Sequence, residues 1–157
     1  MTDTRRFLIL LAAAGSLSML LGAWAFQFIG GLAPCAMCIW QRWPHGAAVL
    51  AGLIGAAFPA RIIAALGALS AATTSGIGIY HTGVERDWWQ GPTSCTSAGG
   101  GLSGMSGADL LNFEAAPKLV LCDEVAWSLF GLSMASWNAL FSALFVLIWL
   151  RALTRPS

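Results

Sequence analysis

The sequence predicts an all-α membrane protein, a four-transmembrane-helix bundle in one domain, with two outer loops. Three observations carry that reading. Apolar residues make up 57% of the 157-residue chain and charged residues only 10%, against about 25% charged in a typical globular domain. The apolar residues fall into four runs, each close to the roughly 20 residues that cross a bilayer core of about 30 Å. The cations fall unevenly between the two ends of those runs. High hydropathy with a net charge of +1 excludes disorder, and the absence of a basic stripe argues against a nucleic-acid partner.

The first run, residues 7–29, holds no charge, and Gln27 is its strongest polar group. Arg5 and Arg6 before it and Ala23-Trp24-Ala25 within it allow a competing reading as a cleaved signal peptide. Against that, the run exceeds the usual 7–15 residue core, and tryptophan suits a small-residue cleavage site poorly. The second run, 39–58, is apolar except for Gln41, Arg42 and His45 in its first two turns, and Pro44 either kinks that helix or marks its first regular turn. The third, 62–80, is charge-free and rich in alanine and glycine, and the fourth, 127–150, is charge-free again. Small residues at four-residue spacing (Gly52 and Ala56; Ala64, Ala68, Ala72 and Gly76) predict close helix packing.

Connecting loops are expected at 30–38 and 81–126, with a tight turn at 59–61. Arg5, Arg6, Arg61, Arg151 and Arg155 gather at one side. Arg42, Arg86 and Lys118 are spread along the other, with six of the seven acids. By the positive-inside rule both termini are cytoplasmic, and all four cysteines face outward. In a bacterium this means an inner-membrane protein with periplasmic loops, where disulfides persist. The long loop holds five glycines in residues 97–107, read as a flexible linker. Ser106 and Asp109 then resemble a capping box before Leu110, Leu111 and Phe113. A short surface helix and an ordinary anchored loop are both open there.

Chemistry concentrates in the cysteines. Cys35-Ala36-Met37-Cys38 enters the second run, and a C-x-x-C closes a small ring whose disulfide is readily made and broken. A thiolate near a helix N-terminus is stabilised by unpaired N–H groups and the helix dipole. Arg42, four residues beyond Cys38, and His45, seven beyond, share its helical face. A guanidinium there lowers the Cys38 pKa further and suits a partly anionic ligand at the bilayer boundary; the alternative is an interfacial cation that snorkels. A disulfide between Cys95 and Cys122, 27 positions apart, closes a long loop, and redox and stapling roles are both open on spacing alone. His81, at the outer end of the third run, is either a surface histidine or a site residue.

The C-x-x-C followed by Ile39-Trp40-Gln41-Arg42-Trp43-Pro44-His45, the second outer cysteine pair, and Gly131-Leu132-Ser133-Met134 with Trp137-Asn138 resemble the disulfide bond formation protein B (DsbB) family over nearly the whole chain. That resemblance implies a thiol oxidase that re-oxidises a periplasmic thioredoxin-like dithiol oxidase of the DsbA type and passes electrons to membrane quinone, ubiquinone or menaquinone. It implies disulfides Cys35–Cys38 and Cys95–Cys122. Cys95 is implied to form the mixed disulfide with the partner, with Cys122 its loop mate. Cys35 then exchanges with the loop pair, Cys38 faces the quinone, and Arg42 and His81 line the quinone site. Two other classes compete: a structural zinc site, which the wide Cys95–Cys122 separation disfavours, and a tetraspan interaction protein with structural disulfides, which leaves Arg42 beside the C-x-x-C unexplained.

Overall fold

A computed structural model of the chain describes residues 2–92 and 121–155. Cys95, the glycine-rich stretch and the anticipated surface helix lie outside the described residues. Four helices are present among those described: α1 (Thr2–Phe28), α2 (Ala36–Ala57), α3 (Arg61–Glu85) and α4 (Met134–Thr154). They pack as a ring, α1 on α2, α2 on α3, α3 on α4, and α4 back on α1. Helices α1, α3 and α4 are each long and apolar enough to cross a membrane. Helix α2 has 22 residues but carries Gln41, Arg42 and His45 in its first half and runs through Pro44 without a break.

Basic side chains close one end of the bundle. Arg5 is buried, donating from Nη1 to the Pro59 carbonyl at 3.0 Å and from Nη2 to the Arg155 carbonyl, while Arg6 donates to the Ala56 carbonyl. Three segments rich in arginine are thus drawn to one end. Beside it lies the apolar core, in which Ile9, Ala12, Ala51, Ala64, Ala68 and Trp149 meet.

Small residues set the helix approach, but not along the stripe the spacing suggested. Ala64 and Ala68 are buried, whereas Ala72 and Gly76 are exposed; the contact face continues through Ala71, Ser75 and Gly78. A strict four-residue step overshoots the 3.6-residue turn and drifts off the face, so the true seam alternates steps of three and four. At Gly67 an added Cβ would lie 2.5 Å from the fully buried ring of Trp149. Gly67→Ala is therefore expected to cost about 1–3 kcal/mol through overpacking, read as a lower thermal unfolding midpoint in detergent. Gly76→Ala, with open space around it, is expected to leave the midpoint unchanged.

The fourth apolar run is divided. Residues Ser128–Leu129 (β1) and Leu132–Ser133 (β2) pair as an antiparallel hairpin around Phe130 and Gly131, both at positive φ (53° and 76°), and α4 starts only at Met134. Two consecutive positive-φ residues define the tight hairpin turn for which glycine is suited. Hydropathy does not register it, because Leu129, Phe130 and Leu132 are as apolar as a span. Ser133 caps α4, its Oγ accepting from the Ser136 N–H at 3.2 Å.

Candidate redox site

The end of the bundle opposite Arg5 and Arg6 holds Cys35, Cys38 and Cys122. Cys35 is the N-cap of α2, and its sulfur accepts from the Cys38 N–H at 3.3 Å, one of the donors that a helix start leaves unpaired. The two sulfurs lie 2.9 Å apart, Cys35 donating to Cys38. That hydrogen bond, with the Cys35 main-chain N–H and the Arg42 charge, lowers the Cys38 pKa although burial and Glu85 oppose it. The same bond and burial push Cys35 up. The pair therefore keeps the proton on Cys35 and makes Cys38 the more readily ionised thiol.

His81 arrives from the last turns of α3, 2% exposed, with Nε2 3.6 Å from Cys35 Sγ and 3.9 Å from Glu85 Oε1. Its ring also hydrogen-bonds the main chain at Cys122. Glu85 is held in turn by the Ser133 hydroxyl. Cys122 is fully buried in a cluster with Cys35, Met37 and Val84, a setting the expected outer loop did not suggest. Three of the four cysteines and His81 thus meet at one place, and the fourth, Cys95, lies outside the described residues.

The sulfurs of Cys35 and Cys38 and a nitrogen of His81 lie within 4.8 Å of one another, compact enough for a metal. The hydrogen bonds favour another chemistry. Gln41 Nε2 donates both to the Met37 carbonyl (3.2 Å) and to His81 Nδ1 (3.0 Å). With Nδ1 accepting, the neutral ring carries its proton on Nε2, the edge that faces the sulfur. The single ring proton thus lies on the edge shared by the Cys35 sulfur and the Cys122 main-chain carbonyl.

Arg42 turns toward α1, donating from Nη1 to Gln27 Oε1 at 2.6 Å, while its buried Nε has no hydrogen-bond partner. It borders a cavity of about 390 Å³ walled by Cys35, Cys38, His81, Met19, Phe26 and Trp137, among others. Beneath lies a polar group that sequence reading did not assemble: Gln41, Thr74, His45 and Asn138, all buried. Asn138 Nδ2 donates to Gln41 Oε1 (2.7 Å) and Thr74 Oγ1 (3.1 Å), and its Oδ1 accepts from His45 Nε2 (2.8 Å). The available signal was Asn138 itself, a strong polar group inside a charge-free apolar run.

A dithiol set at a helix N-terminus, backed by a histidine and opening on an apolar cavity within membrane-length helices, defines a membrane thiol–disulfide redox protein. The family model described as "Disulfide bond formation protein DsbB" matches residues 5–152, and the chain belongs to the DsbB family. It is a multi-pass membrane protein with a redox role in disulfide formation. Disulfide bond formation protein B 2 of Pseudomonas aeruginosa is 36% identical over 135 residues, 82% of this chain and 79% of the relative. Disulfide bond formation protein B of Verminephrobacter eiseniae is 36% identical over 157 residues (96% and 86%), and that of Albidiferax ferrireducens 30% over 167 (99% and 94%). No solved structure matches significantly.

Proposed function

We propose that the protein oxidises the dithiol of a periplasmic thioredoxin-like oxidase of the DsbA type and delivers the electrons to membrane quinone. The partner's dithiol becomes a disulfide as Cys95–Cys122 is reduced. That loop dithiol then reduces Cys35–Cys38, and the re-formed Cys35–Cys38 disulfide leaves two electrons and two protons on the acceptor. All four helices span the bacterial inner membrane, with both termini and the turn at 59–61 cytoplasmic. The gathering of Arg5, Pro59 and Arg155 at one end supports that orientation.

The carrying observation is the mainly apolar cavity beside Cys38, large enough for a small ring, with Arg42, whose buried Nε has no hydrogen-bond partner, among the residues that line it. Those features fit a quinone: Arg42 offers a donor to a ring oxygen, and Cys38 presents the more readily ionised thiol. Bound there, a quinone supplies a two-electron, two-proton acceptor. The chain's own residues do the rest. Cys35 holds the proton that favours ionisation of Cys38, His81 steadies the Cys35 sulfur, and Cys122 stands buried within the same cluster, where thiol exchange with Cys35 is short-range.

The test is consumption of a short-chain quinone by the purified protein with a reduced DsbA-type dithiol. Arg42→Ala is expected to raise the apparent quinone KM about tenfold or more, the loss of one charged hydrogen bond, while both disulfides still form. Electron delivery independent of quinone would overturn the reading.

A further inference from the structure

The hydrogen bonds beneath the cavity determine which ring nitrogen of His45 carries its proton. The Met37 main-chain carbonyl can only accept, so the Gln41 atom bonded to it is the amide nitrogen, and Gln41 Oε1 is left to accept from Asn138 Nδ2. Asn138 Oδ1 then faces His45 Nε2, which must be the protonated nitrogen. Neutral His45 therefore has a bare lone pair on Nδ1. That atom is buried without a hydrogen-bond partner, in a residue 3% exposed that lines the cavity.

A buried acceptor left unpaired is costly, and the ligand that relieves it must bring a donor. A quinone carbonyl has no hydrogen to give; a quinol hydroxyl has. Arg42 and His45 are three residues apart on one helix, with about 5–6 Å between side-chain origins on the same face, comparable to the separation of two oxygens on opposite edges of a ring. The unpaired Arg42 Nε–H serves an oxygen in either oxidation state and does not discriminate. His45 does.

We propose that His45 Nδ1 accepts a hydroxyl hydrogen of the reduced ring, so that the cavity holds quinol more tightly than quinone. This rests on the quinone reading above and adds a direction to it. Selective binding of the two-electron, two-proton product raises the potential of the bound couple by 29.6 mV for each factor of ten in affinity, drawing electrons off the cysteines.

The experiment measures dissociation constants of a short-chain ubiquinone, its quinol and the dimethyl ether of that quinol. It uses the purified, fully oxidised protein under anaerobic conditions, with quenching of Trp127 and Trp137, which line the cavity, as the readout. Quinol is expected to bind at least tenfold more tightly than quinone, the dimethyl ether no better than quinone, and His45→Phe to bring quinol down to the quinone value. Equal affinities for quinone and quinol, or a preference that survives in His45→Phe or in the dimethyl ether, would overturn the assignment. Should His45→Phe fail to fold, the three ligands on the unaltered protein still decide it. Failure of every ligand to bind would instead bring down the quinone reading, and this inference with it.

Discussion

Cys35→Ser is expected to stop electron delivery, with a loss on the order of 10³-fold or more, while leaving the Cys38 pKa below that of an ordinary thiol. Electrons leave as a pair when Cys35–Cys38 closes, and serine cannot close it. The lowered pKa outlasts the substitution because its causes do. The first is the hydrogen bond from residue 35, which a serine hydroxyl still donates, and the main-chain N–H of residue 35 and the Arg42 charge add to it. The ultraviolet absorbance of the thiolate should therefore persist as pH falls through the free-cysteine value of about 8.5 and disappear only at lower pH. Adding Arg42→Ala removes one stabilising charge, so the midpoint should move upward. A midpoint at or above the free value in Cys35→Ser alone would remove Cys38 from the role of electron donor.

Asn138→Leu is expected to destabilise the fold by about 2–6 kcal/mol. Leucine has similar volume but strands the His45 Nε2–H and Gln41 Oε1, each buried, at about 1–3 kcal/mol apiece. The measurement is thermal or denaturant unfolding in detergent. Ser70→Ala serves as the comparison, because that exposed hydroxyl bonds only its own helix at Leu66, and it should change stability by less than about 0.5 kcal/mol. A loss as small for Asn138→Leu would mean that the network does not hold the helices together. Because Gln41 also orients His81, the same variant should slow thiol exchange at Cys35 beyond what reduced folding explains.

The C-x-x-C, Arg42 four residues on, and the uneven arginines are legible because each depends on local spacing or on composition near a helix end. Cys35 as a helix cap is of this kind, since a helix start always leaves donors unpaired. The hairpin at 128–133 was not legible: an apolar turn and an apolar span have the same hydropathy, and only the positive φ of Phe130 and Gly131 separates them. Nor was the break in the small-residue stripe, which depends on which neighbour each face of α3 meets.

The sequence by itself determined the helical membrane class, the ends at which charge gathers and the residues able to do redox chemistry, because these follow from hydropathy, bilayer thickness and side-chain type. Tertiary structure alone decided that His81 comes to Cys35 across 46 positions, that Cys122 is buried beside them, and that Asn138 joins Gln41 across 97. The physical reason is that a buried polar group must find its partner wherever packing brings one. That choice belongs to the ring of helices, not to any stretch of chain.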